Sequence, residues 1–214
     1  MLDYRKQFLD FAVHCGALKF GQFTLKSGRL SPYFFNSGMF QSGAQLARLA
    51  DFYAAAIARC VAGEFMLFGP AYKGIPLAAA VAIALARNHG RDVNYAFNRK
   101  ESKDHGEGGV LVGAALGGRV VIVDDVITAG TSVTEAVRLI EGAGAVPAAV
   151  VVALDREENK KDQAAMLLQK HGVQLHAVAR FRDLLEFLSA DARHKESLAA
   201  MREYAARFGV GAAP

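Results

Sequence analysis

The chain has 214 residues, 25 Lys and Arg against 21 Asp and Glu for a formal charge of +4, and 52% hydrophobic residues. This length suits one α/β domain spanning 1–214 with a core of its own, and the composition excludes a disordered chain. The basic residues gather in short segments rather than one long stripe, and no helix-turn-helix, zinc-finger or RNP pattern occurs, so a compact, highly charged small anion is a better partner than a nucleic acid.

No apolar stretch reaches membrane-spanning length; the longest, 75–86, is rich in alanine and stops at Arg87. Asp3, Arg5, Lys6 and Asp10 near the start are unlike a signal peptide, and a cytoplasmic protein is expected. Cys15 and Cys60 lie far apart without metal-type spacing and are expected to be reduced thiols.

Tyr4, Phe8, Phe11 and Cys15 stand at helical spacing and predict an opening helix. From 20 to 35 the pattern turns strand-like, broken by Lys26-Ser27-Gly28-Arg29 and Ser31-Pro32, which predicts a hairpin hood formed mainly by 1–40. Ser42 and Gln45 form a capping box ahead of a helix ending near Cys60. Strands are then expected at 65–68, 93–98, 119–124, 148–154 and near 174–179. The helices between and after them fall at 75–88, 132–141, near 164–170, around 183–188 and at 196–208. Strands alternating with helices imply a mostly parallel central sheet covered by helices on both faces, with the small N-terminal hood added.

The most informative segment is 120–132, Val-Val-Ile-Val-Asp-Asp-Val-Ile-Thr-Ala-Gly-Thr-Ser. Four β-branched residues suit a strand buried on both faces, and the polar residues begin where open α/β sheets place their ligands. Thr128, Ala129, Gly130, Thr131 and Ser132 offer amides, hydroxyls and a glycine at a helix start, all suited to a phosphate dianion. Ser132 and Glu135 read as a second capping box opening that helix. Asp124 and Asp125 cannot serve the anion; they make sense beside vicinal hydroxyls, a ring developing positive charge, or a divalent metal. A Walker B strand fits poorly, because no G-x-x-x-x-G-K-[ST] occurs.

Three further loops carry chemistry. Gly69-Pro70-Ala71-Tyr72-Lys73-Gly74-Ile75-Pro76 also joins a strand to a helix start, and its amides and Lys73 can hold a diphosphate. The segment 99–109 holds Arg99, Lys100, Lys103 and His105, then glycines, without an apolar anchor, and is expected to be a mobile basic lid. In the hood, Lys26 supplies a cation while Phe34 and Phe35 point to opposite faces, so that one ring, or the backbone, can frame a planar base. Arg156 follows a strand, where its guanidinium can grip a carboxylate in a bidentate pair. His14, His89, His171, His176 and His194 have no second ligand at metal spacing and are expected to be structural or exposed.

With Asp124-Asp125 and Thr128 to Ser132 in this order, the chain resembles the type I phosphoribosyltransferases through their phosphoribosyl diphosphate (PRPP) signature. The hood motif from Leu25 to Phe34, the 69–76 loop, the Arg99-Lys100-x-x-Lys103-Asp104-His105 lid and Leu154-Asp155-Arg156 narrow the resemblance to the bacterial orotate phosphoribosyltransferases over nearly the whole chain. A purine-specific relative is disfavoured, since Arg156 would meet no carboxylate on a purine.

The resemblance implies transfer of ribose 5-phosphate from PRPP to orotate, giving orotidine 5′-monophosphate and diphosphate in pyrimidine synthesis. Mg²⁺ would be bound mainly through the substrate diphosphate rather than by a protein metal site. It implies Lys103, Asp124, Asp125 and Lys73 as catalytic. PRPP would be met by Lys26, Tyr72, Lys73, Arg99, Lys100, Lys103, His105, Asp124, Asp125, Val126, Ile127, Thr128, Ala129, Gly130, Thr131 and Ser132. Orotate would be met by Lys26, Phe34, Phe35, Thr128 and Arg156. It also implies a peptide at Ala71–Tyr72 that is often cis, and a homodimer whose lid, residues 99–105, reaches the partner's site, with neither nucleic acid nor membrane as partner.

Overall fold

The computed structural model describes residues 2–25, 28–103, 109–127, 131–157 and 169–208, the side chains of 102, 103 and 131 excepted. Helix α1 (Asp3–His14) buries Phe8, Leu9 and Ala12 and leads into the antiparallel hairpin of β1 (Leu18–Thr24) and β2 (Leu30–Phe35). Helix α2 (Gly43–Cys60) starts at the expected capping box: Ser42 Oγ accepts the Gln45 amide at 3.2 Å and Gln45 Oε1 accepts the Ser42 amide at 3.1 Å. Two donors that a helix start leaves without intrahelical partners are thereby satisfied.

The alternating region runs β3 (Met66–Gly69), α3 (Gly74–His89), β4 (Tyr95–Lys103), β5 (Gly109–Gly113), β6 (Arg119–Asp124), α4 (Thr131–Gly142), β7 (Val146–Asp155) and β8 (Gln174–Arg180). Helices α5 (Phe181–Ser189) and α6 (Lys195–Phe208) close it. The sheet has the order β5-β4-β3-β6-β7-β8, parallel throughout except for β5 on the edge. The expected architecture of a mostly parallel sheet between helical layers is therefore present.

Strand β6 lies in the middle, hydrogen-bonded to β3 and β7. Its side chains alternate: Val121 and Val123 pack with α2 and α3, whereas Val120 and Ile122 pack with Val133, Val137 and Ile140 of α4. All four are fully buried. Burial of one such side chain contributes about 1.5–3 kcal/mol, so neither face of this strand tolerates a polar residue before Asp124. The hairpin stands over one end of this layer, with Phe35 against Phe8 and Tyr33 between Phe181 and Tyr204.

Two expectations are corrected. Residues 99–103 are not a loop: they continue β4, and its antiparallel pairing with β5, Asn98 opposite Leu111, loses register after Asn98 and resumes at Lys103 opposite Gly109. An edge pair is held by backbone hydrogen bonds and accepts charged side chains, so the lack of apolar residues did not exclude a strand. Secondly, Ser132 is not an N-cap, because α4 already begins at Thr131 and Ser132 lies within its first turn. The remainder of the expected lid, 104–108, and most of the helix expected near 164–170 lie outside the described residues.

Candidate active site

The carboxyl ends of β3, β6 and β7 open on one rim, where both acids of the 120–132 segment stand. Strand alternation sends them to opposite sides. Asp124 follows the Ile122 face toward α4, where its Oδ2 accepts the Ser132 hydroxyl at 2.9 Å and its Oδ1 the Asp125 amide at 2.9 Å. Asp125 turns toward α2 and α3; its Oδ2 accepts Lys73 Nζ at 2.6 Å and Ser37 Oγ at 2.7 Å, and its Oδ1 the Val126 amide at 2.9 Å. The Tyr53 hydroxyl donates to the Asp124 carbonyl at 2.8 Å from beneath.

Both acids are more than nine-tenths buried. Burial first, then the charge of Asp125, pushes the Asp124 carboxyl up to about 6, against the pull of the Asp125 amide, the Ser132 hydroxyl and Lys73. Burial, with the Asp125 and Asp124 charges adding to it, also raises the Tyr53 phenol well above its ordinary value, so it stays a donor. A buried pair of carboxylates of which one holds a proton weakly is a group poised to meet positive charge.

The loop between β3 and α3 is shaped by two glycines. A β-carbon on Gly69 would lie 2.1 Å from the Gly74 carbonyl oxygen, and one on Gly74 would lie 2.6 Å from Pro70 Cδ, so the chain can double back only with hydrogen at both positions. The Ala71–Tyr72 peptide is cis, as the resemblance implied. Asn98, buried in β4, accepts the Ala71 amide at 2.9 Å, and Gly74 donates to the Pro70 carbonyl at 2.9 Å. Thus fixed, the loop delivers Lys73 to Asp125 and leaves the Tyr72 ring outward, with Lys100 Nζ 4.8 Å from its centre.

The hood reaches the same rim through Arg156, just beyond β7. Its guanidinium lies 4.6 Å over the Tyr33 ring, and its Nη2 donates to Ser31 Oγ at 3.3 Å. Glu157, the next residue, holds Arg182. The two phenylalanines part as alternation requires. Phe35 packs into the core beside Phe8 and Phe40, whereas Phe34 is exposed and stacked on Phe23 at 5.6 Å. The face carrying Ser31 and Tyr33, rather than the Phe34 ring, meets Arg156.

Lys73, Asp124, Asp125 and Ser132 are therefore joined by direct or shared hydrogen bonds, with Tyr72, Lys100 and Arg156 on the loops and strand end around them. Val126 and Ile127 are half-buried and pack on opposite faces of the sheet. Arg99 is half-buried in β4. Lys26, His105, Thr128, Ala129 and Gly130, with the side chains of Lys103 and Thr131, lie outside the described residues. Sequence reasoning missed Ser37, Tyr53 and Asn98, which hold Asp125, the Asp124 carbonyl and the Ala71 amide. Only Asn98, a polar residue directly after the apolar run Tyr95-Ala96-Phe97, carried a local signal.

The phosphoribosyl transferase domain family matches residues 38–175. The orotate phosphoribosyltransferase of Methylococcus capsulatus is 54% identical over 213 residues, covering 98% of this chain and all of that protein. That of Thioalkalivibrio sulfidiphilus has the same identity and the same coverage. Among solved structures, the orotate phosphoribosyltransferase of Francisella tularensis superposes with a TM-score of 0.83 at 40% identity, covering 94% of this chain and 98% of that one.

Proposed function

Because the chain belongs to the orotate phosphoribosyltransferase family, we propose that it transfers ribose 5-phosphate from PRPP to orotate, releasing diphosphate and forming orotidine 5′-monophosphate. The observation that carries this reading is the joining of opposite charges at one rim, Lys73 on Asp125 beside Asp124, with Arg156 just beyond the end of the neighbouring strand, held against the hood.

Breaking the bond between C1 and the diphosphate builds positive charge on the ribose ring and negative charge on the departing group. Asp124 and Asp125 serve the ribose side, meeting its hydroxyls and the developing cation. Lys73 and Tyr72, with Lys26, Arg99, Lys100, Lys103 and His105, serve the PRPP phosphates, and the segment from Val126 to Ser132 holds the 5′-phosphate. Fixed groups of the right sign stabilise the separated charges without reorganising during the reaction. Orotate is held by Lys26, Thr128, the Phe34–Phe35 strand and Arg156, whose planar fork matches the carboxylate of the base. Its ring nitrogen, held near C1, is the nucleophile, and no covalent intermediate with the protein is required.

Mg²⁺ fits this arrangement as an ion carried by the substrate. Asp125 is already engaged by Lys73 and Ser37. Asp124 and Asp125 are the carboxylates that would steady its water shell, in the manner of Mg²⁺ sites built on phosphates. When bound, it neutralises charge on the diphosphate.

The working unit is a homodimer in which residues 99–105 of one subunit reach the site of the other, so that Lys103 acts in trans. The outer face of α3 supports a covered surface: Pro76 and Ile83 stand exposed on one stripe of an otherwise apolar helix, close in sequence to the outward Tyr72 ring. The unpaired Cys15 and Cys60 suit the reducing cytoplasm. No described helix is long and apolar enough to cross a membrane.

One assay tests the reading: loss of orotate absorbance on adding PRPP and Mg²⁺. Turnover with orotate that hypoxanthine and adenine neither replace nor inhibit is the expected result. A chain that binds PRPP without consuming orotate would be a ligand sensor rather than an enzyme.

A further inference from the structure

The turn beyond β7 is fastened by contacts that the transfer reaction does not itself use. Asp155 Oδ1 accepts the Glu157 amide at 2.9 Å and bends the chain away from the strand. Glu157 then adopts φ +50°, and among the described residues no other residue besides glycine has a positive φ. Glycine would take this conformation more readily, so the backbone alone does not account for a glutamate here.

The carboxylate does. Glu157 Oε2 accepts the Arg182 amide at 3.0 Å, and Oε1 accepts Arg182 Nε at 2.7 Å and Nη2 as well. The Glu157 side chain is only 9% exposed, although Arg182 remains largely in solvent. Arg182 is the second residue of α5, so the carboxylate also meets the positive end of that helix. The neighbouring connection is fastened in the same manner, Asp183 Oδ2 accepting the Arg180 amide at 2.8 Å. The chain leaving β7 is thereby pinned to the chain leaving β8.

Arg156 sits between the two pinned residues, Asp155 and Glu157. Its guanidinium must cross from the sheet rim to the hood, where Tyr33 and Ser31 receive it. A long side chain that grips a planar carboxylate loses conformational freedom on binding, and that cost falls when its backbone is already fixed.

We propose that Glu157 and Arg182 form a clasp that positions Arg156 for the carboxylate of the base, and so set selectivity for a carboxylated pyrimidine; this rests on the role given to Arg156 above. Arg182→Ala leaves Glu157 only the backbone amide, and Glu157→Gly keeps the turn but removes the carboxylate. Each is expected to raise KM for orotate about tenfold, while KM for PRPP and kcat at saturating orotate change by less than about twofold. In an Arg156→Ala background neither change is expected to add to the rise in orotate KM, because its beneficiary is gone.

A purely structural turn would not produce that split between substrates. Unchanged orotate KM in both single variants, with Arg156→Ala raising it, would overturn the clasp and leave the role of Arg156 standing. Penalties that multiply with that of Arg156→Ala would overturn it too. An Arg156→Ala enzyme with normal orotate KM would remove the carboxylate role itself, and the clasp with it.

Discussion

Lys73 Nζ stands 2.6 Å from Asp125 Oδ2, joining the tip of the β3–α3 loop to the acid at the end of β6. The ammonium is half-exposed while the carboxylate is buried, so the pair contributes about 1 kcal/mol or less to folding once solvent screening is allowed for. Its value lies in chemistry. Lys73→Ala is expected to lower kcat/KM for PRPP about a hundredfold, the scale of losing one charged group at a transition state. The melting temperature should barely move. Steady-state kinetics beside a thermal melt check both halves, and a loss of less than about threefold would take Lys73 out of the reaction.

The buried Asp124 carboxyl gives the protein an acid limb. Its fold-state value of about 6 lies above the ordinary 3.8, so between these the folded chain binds more protons than the unfolded one and stability falls as pH rises. Above about 6 the loss is complete. Asp124→Asn should remove this segment of the profile, gaining more thermal stability over the native chain at pH 7.5 than at pH 4. Activity is expected to run the opposite way, since the proposed role of Asp124 is for the ionised acid to meet the ribose cation. The native kcat/KM should drop about tenfold per pH unit below an apparent pKa near 6. A flat profile from pH 5 to 8 would dissociate Asp124 from catalysis.

Gly69→Ala drives a β-carbon into the Gly74 carbonyl oxygen, 2.1 Å away. Either β3 or the first turn of α3 must retreat, at about 1–3 kcal/mol, the usual range for overpacking. The loop that carries Lys73 moves with it, so activity should fall further than stability. Denaturant melts and kinetics on the same preparation check this, and a variant with unaltered kcat/KM would show that the tight turn is dispensable.

Ile83 is two-thirds exposed on the outer face of α3. If that face is covered by a second copy, Ile83→Asp buries an unpaired carboxylate, at several kcal/mol, and the species seen by sedimentation should shift from dimer to monomer. Exchange of the lid across the dimer has its own test: mixing inactive Lys103→Ala and Asp125→Asn subunits should restore activity, since one site in each mixed pair is intact. No recovery would place Lys103 in the site of its own chain.

Legibility in the sequence followed the range over which each signal acts. The β6 strand, its two acids and the Ser42 capping box could be read locally, because buried strands and helix starts are written in consecutive residues. Residues 99–103 could not: the polar outer end of β4 has no apolar alternation to distinguish it from a loop, and its partner β5 shows only Val110-Leu111-Val112 between glycines. Ser132 misled for a related reason. Its S-x-x-E spacing suited a cap, but Asp124, eight residues earlier, takes the hydroxyl once the strand and helix pack. Ser37 and Tyr53 reach their partners across 88 and 71 residues, and no window of sequence contains such a pairing.

Being central in the sheet and sheathed on both sides, β6 is the strand that solvent reaches last, and its amides should be among the slowest to exchange. The cations around it hang instead from a turn, the outer end of β4 and a strand-end loop. Mild heating or low denaturant would accordingly slacken the grip on polyphosphate while the acidic pair still sits in its native bed. Inactivation is expected to precede global unfolding, and adding PRPP should draw the two transitions together.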